Sequence, residues 1–153
     1  MKFRMVDRIL SWEKQRSIRG VKSVSLEEYH LREALGCEAS LPETLVMESL
    51  FQLGNWLIML SSDFTRMGLL VRTEEVRFMD LLRPAQSMLM EVDVCSYRED
   101  GIVFDGRGLV GGRLVALGRG CLARPVDLAE FIDPRDARVV FSEIYRPAPC
   151  APG

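Results

Sequence analysis

Histidine is nearly absent from this chain: His30 is the only one. Its four cysteines (Cys37, Cys95, Cys121 and Cys150) form no CxxC pair. A structural zinc site draws its ligands from clustered Cys and His, and neither the lone histidine nor the scattered cysteines form such a cluster, so no metal is expected. A chain of this length does not read as a disulfide scaffold, so the cysteines read as buried or incidental thiols of a reducing compartment. Charge of one sign is also lacking. The formal net charge is −2 and the arginines are scattered, which argues against nucleic acid, whose phosphates need clustered Lys and Arg. Long apolar runs are missing too. The most apolar stretch, residues 45–60, is broken by Glu48, Gln52 and Asn55 and is short for a membrane span. Residues 1–7 carry charges where a signal peptide needs apolar residues, so a cytoplasmic protein is expected.

What is present is the material of one globular domain. The 153 residues are 48% hydrophobic and 27% charged, enough to bury a core without a metal or disulfide staple. One domain is expected over residues 1–147, followed by a Pro-rich flexible tail, 148–153. Two strands are expected near the start, around residues 3–12 and 18–26, with charged turn residues between them. The stretch 27–40 has no clean period and reads as loop or a short helix. A helix then begins sharply. Pro42 suits its first position, and Glu43 favours the positive end of the dipole. From Leu45 to Leu60 apolar residues occupy nearly every face, which predicts a helix that other elements surround. Strands follow at 69–78, around 88–95 with period two, at 102–110 and at 114–123. Asp100-Gly101 and Gly111-Gly112 separate the last three as hairpins. Asp133-Pro134 reads as the cap and first residue of a final helix, with Ala137, Val140, Phe141 and Ile144 on one face. The fold class is therefore α+β, a long antiparallel sheet curling around a central helix. Gly106, Gly108, Gly118 and Gly120 sit inside the strands, where they let the sheet bend or a ligand approach.

Gly106 to Gly111 spell GxGxxG, but the residues after them read as a returning strand. The dinucleotide fingerprint needs a helix there to hold the pyrophosphate, so nucleotide binding is rejected.

The stretch Leu41-Pro42-Glu43-Thr44-Leu45-Val46-Met47-Glu48-Ser49-Leu50-Phe51-Gln52 resembles the start of the central helix in the 3-hydroxyacyl-acyl-carrier-protein dehydratase family. Residues 5–10 resemble that family's first strand, and Arg77-Phe78 with Leu82-Arg83-Pro84 resembles its middle strand and turn. Residues 103–108 resemble its hairpin, so the likeness touches most of residues 3–124. The resemblance implies a hot-dog fold, which agrees with the architecture read from the pattern. It also implies an active site across a dimer interface, with no cofactor. There a histidine removes the α-proton of a 3-hydroxyacyl thioester, and a helix carboxylate helps the β-hydroxyl leave. Glu48 matches the carboxylate and Gln52 the glutamine one turn later, and Gly36 and Phe78 fall in the substrate-binding region.

The histidine does not match. Counted back from Glu48 without gaps, its position holds Ala34, while Cys37 and Glu43 stand where the pattern has glycine. His30 lies four residues early, and a local loop-out with Tyr29-His30-Leu31 in place of Gly-His-Phe makes it the candidate base. Glu48 itself has two readings, because a carboxylate on such a helix is costly to bury unless paired or hydrogen-bonded. One is a proton-transfer group facing an acyl pocket. The other is a structural Glu pairing with an arginine or capping backbone groups across a dimer. Met47, Met59, Met67, Met79, Met88 and Met90 read either as core or as the lining of an acyl tunnel.

Three functions follow. The first is a dehydratase variant acting on 3-hydroxyacyl or enoyl thioesters held on acyl carrier protein or CoA, in fatty-acid or polyketide-type metabolism. The second is a non-catalytic acyl-thioester binder, or a subunit that pairs with a complete dehydratase. The third is a thioesterase, whose carboxylate directs water without a histidine. Assembly as a homodimer, a trimer of dimers or such a heterodimer is expected.

Overall fold

The computed structural model describes residues 4–27, 36, 38–147 and 149. Seven strands form one antiparallel sheet: β1 (Arg8–Glu13), β2 (Ser17–Ser23), β3 (Arg66–Arg72), β4 (Glu75–Phe78), β5 (Ser87–Tyr97), β6 (Ile102–Val110) and β7 (Arg113–Asp127). The order is β1-β2-β5-β6-β7-β3, with β4 also on β7. Helix α1 (Glu43–Ser61) lies against this sheet, and a single 3-10 turn (Leu128–Glu130) leads to helix α2 (Pro134–Ile144). This is the α+β hot-dog arrangement expected from the sequence.

Helix α1 starts one residue later than its pattern implies. Pro42 is the N-cap rather than the first helical residue, and its carbonyl accepts from the N–H groups of Leu45 and Val46. The helix ends at Ser62, whose N–H reaches back to Ile58 and Leu60. Its sheet face is largely apolar, with Ser49 and Ser61 also buried. Leu50, Leu53, Leu57 and Ile58 are buried there with Met88, Met90, Val92 and Phe104. Gly54 is a point of close approach, where a Cβ would meet the Phe104 ring at 2.6 Å. The strand glycines serve the same contact: a Cβ at Gly106 would meet Leu50, and one at Gly118 would meet Met47. In both places the helix approaches the sheet, rather than a ligand. The β6–β7 ladder also shifts register at Phe104/Gly106 and Gly108/Leu109, which bends it.

The expected strand at 69–78 is two strands end to end, because β7 is irregular opposite its middle. Gly120 has φ +60°, and the space of its missing Cβ is filled by the Glu74 carboxylate at 2.6 Å. Pairing stops after Arg72↔Leu122 and resumes at Glu75↔Arg119, three residues on along each strand. Five strands therefore follow α1 instead of four. Elsewhere β1 begins later than residue 3, and β7 runs on to Asp127. The last hairpin turns through Gly111 (φ +57°) and Gly112 (φ +79°), the left-handed pair of a type I′ turn.

Met47, Met59, Met88 and Met90 belong to the core, whereas Met79 is exposed. Cys121 is buried in β7, and burial pushes its thiol up to about 11 from 9.0. The folded chain thus keeps this thiol protonated where the unfolded chain ionises it. That stabilisation is complete below pH 9 and is lost as the pH rises through about 11. Denaturation midpoints are expected to fall across this window by the equivalent of roughly 3 kcal/mol. The fall should be shallower in Cys121→Ala, and equal slopes in the two proteins would refute the assignment.

Candidate functional site

Helix α1 has a second face, turned away from the sheet, and it is not sealed as the all-round apolar pattern predicts. Glu48, Gln52, Asn55 and Trp56 are only half-buried. With Met59 they form a stripe at i, i+4, i+7, i+8 and i+11, one side of a 3.6-residue helix. This stripe lines a cavity of about 580 Å³, within the usual range for a small-molecule site. Its opposite wall is the chain from Phe131 to Ile144, which includes α2.

Asp133 caps α2 by accepting from the Arg135 N–H, with Pro134 first in the helix. Ala137 and Ile144 are buried, and Val140 and Phe141 half-buried, which is the face the sequence pattern indicates.

Glu48 stands at the Arg4 end of the cavity, beside Gln52. The Gln52 amide nitrogen donates to its Oε1 at 2.9 Å. The amide oxygen of Gln52 in turn accepts from the Met5 N–H at 2.8 Å. The Met5 N–H therefore decides which end of the amide faces Glu48. Gln52 thus holds one of the two carboxylate oxygens of Glu48. Arg4 lies beside this end of the cavity and pairs with Glu143 of α2 at 3.2 Å. Asn55 accepts from the Gly68 N–H at 2.8 Å, tying the stripe to β3.

Of the residues singled out from sequence, the structure brings Glu48 and Gln52 together. Among the described residues, Phe78 and Gly36 do not line this cavity. Phe78 ends β4 opposite Ala116 and is exposed. Gly36 is exposed at φ +72°. His30 and Ala34 lie outside the described residues. No group of three or more potential metal ligands occurs among the described residues, and no described helix is long and apolar enough to cross a membrane. Asn55, Trp56 and the whole α2 wall were not anticipated as site residues. The helical spacing of Asn55 and Met59 from Glu48 is the signal that marks them.

Comparison with known proteins agrees with this architecture. Residues 1–119 match the model of the FabA-like domain. A 3-hydroxyacyl-[acyl-carrier-protein] dehydratase FabZ from Klebsiella pneumoniae is 32% identical over 116 residues, covering 74% of this chain and 77% of the relative. Among solved structures, the dehydratase heterocomplex ApeI:P from Xenorhabdus doucetiae superposes with a TM-score of 0.64 at 15% identity, covering 84% of this chain and 89% of that one. A hot-dog-like protein from Thermanaerovibrio acidaminovorans gives 0.62 at 18% identity, covering 81% and 87%. These two likenesses speak to the fold, and the family match speaks to descent. The chain belongs to the FabA-like family of hot-dog proteins.

Proposed function

We propose that the chain binds 3-hydroxyacyl or enoyl thioesters of acyl carrier protein in the Glu48 cavity and acts as one half of a dehydratase pair. In this reading Glu48 is the acid, and a complete dehydratase subunit supplies the base. The observation that carries it is the Glu48 carboxylate, oriented by Gln52 on the wall of a cavity that also carries Trp56, Met59, Ile132 and Val140. Dehydration removes a proton from Cα and hydroxide from Cβ as the double bond forms. The leaving oxygen needs a proton, which Glu48 provides, while the base keeps the α-proton and both groups then reset. Ala34 at the ungapped position of the family's histidine is the reason to place the base on another chain. A FabZ-type relative and a fold neighbour described as a dehydratase heterocomplex are consistent with such pairing.

The surface for pairing is the β3–β4 edge. β3 and β4 lie end to end along the outer side of β7, and Leu70, Val71, Val76, Phe78 and Met79 are exposed there. An apolar edge of this kind is a template for another strand. It also puts Phe78, remote from the cavity of its own chain, in a position to meet a partner. Replacing Leu70 and Val71 together by arginine is expected to shift the two-chain species to single chains in light scattering. A persistent two-chain mass would rule this edge out.

Complementation tests the function itself. A FabZ-type dehydratase is stripped of its helix carboxylate but keeps its histidine, and is mixed with this chain. Enoyl thioester hydration should appear in the mixture and in neither component alone. Absence of both activity and thioester binding would overturn the proposal, and release of free thiol would replace it with the thioesterase reading.

A further inference from the structure

The wall opposite Glu48 is built by a part of the chain that the family model does not cover. That model ends at residue 119, whereas the 3-10 turn and α2 span residues 128–144. This segment is fixed at both ends. At its start Leu128 is buried and its N–H donates to Thr65. Arg138 pairs with Asp63 at 3.1 Å and lies over the Phe64 ring at 4.6 Å. At its end Phe141 stacks on Tyr145 with centroids 5.0 Å apart, and the Arg146 N–H donates to the Ile9 carbonyl on β1. The segment thus crosses α1 on its outer side, from the β3 side to β1, as a roof held over the stripe.

Under this roof the cavity has a direction. Arg4, Glu48 and Gln52 form one end, and Trp56, Met59, Ile132 and Val140 add apolar surface along it. From Glu48 to Met59 the helix rises about 16 Å. Of the charged side chains lining the roof, Asp133 and Asp136 are both acidic, so nothing there welcomes a negatively charged tail.

We propose that the C-terminal roof forms the tail end of the acyl site, and that Ile132 and Val140 set the longest uncharged acyl chain the protein accepts. This rests on the thioester reading above. The reacting carbons lie at Glu48, and the tail runs beneath α2 toward Met59. Chain length is then governed by a segment outside the matched family domain.

The test measures binding of butyryl, octanoyl and hexadecanoyl pantetheine thioesters to the full chain. Wild type is compared with Ile132→Trp, Val140→Trp and Ile132→Ala. Ile132 is 38% exposed, so a larger ring there does not disturb the core, and a melting curve verifies that the fold is kept. Both tryptophan variants should lose the longest chain that wild type binds by roughly 10-fold or more relative to the shortest. Ile132→Ala should shift the preference the other way. If wild type binds the thioesters and all variants keep its length profile, the roof is not the tail site while the thioester reading stands. If wild type binds none of them, the thioester reading falls and the inference with it.

Discussion

Glu48→Gln is expected to lower the hydration and dehydration rate of the complemented pair by about 100- to 10,000-fold, the usual contribution of one positioned proton donor. The substitution conserves size and retains an oxygen that can accept from the Gln52 amide, which now donates to Glu48 at 2.9 Å. What is lost is the acid: an amide cannot hand a proton to the departing hydroxyl. The loss should therefore fall on kcat, with KM within a few-fold of wild type, because binding in the apolar cavity does not depend on that proton. Rates of the reverse reaction, enoyl thioester hydration, should fall by the same factor, since both directions share one transition state. An unchanged rate with an intact fold would mean that Glu48 is held by Gln52 for structure alone.

The second large effect concerns the junction of α1 and the sheet. Phe104→Ala is expected to cost about 3–5 kcal/mol, a fall in melting temperature of roughly 6–20 °C for a chain of this size. Phe104 is buried at 2% exposure and fills the notch that Gly54 leaves in the helix. Gly54→Ala alone should also destabilise, by about 1–3 kcal/mol, because its methyl meets the ring and must displace it. Combined with Phe104→Ala the same change should turn favourable. The ring is gone, and alanine gains up to about 1 kcal/mol over glycine within a helix. Additive losses in the double variant would show that Gly54 and Phe104 do not constrain each other.

The parts of this structure that were legible in the sequence are those set by local chemistry. Pro42 and Glu43 announced α1, Asp133-Pro134 announced α2, and Gly111-Gly112 announced the last hairpin. Two features were not legible, because their cause lies on another element. The break between β3 and β4 is imposed by the left-handed Gly120 across the ladder on β7, and nothing in residues 69–78 marks it. Glu48 and Gln52 were singled out by resemblance, but Asn55 read only as an interruption of an apolar run. Only the roof laid over them turns them into one wall of a cavity. Phe78 was singled out by resemblance, and its exposed place on β4 gives it a use only if a second chain covers it.

The fastening of the C-terminus has a consequence for the sheet as a whole. Tyr145 forms a parallel bridge with Ile9, and the Arg146 N–H bonds the Ile9 carbonyl. Residues 145 and 146 thereby take up hydrogen-bonding positions at Ile9 of β1, the strand opposite β3 in the sheet order. A sheet with two adhesive margins can add copies without limit and grow into a fibre. If copies join through the β3 margin, guarding β1 stops growth after one addition and leaves a closed pair. Loss of residues 145–147 is therefore expected to trade a discrete assembly for an open-ended one.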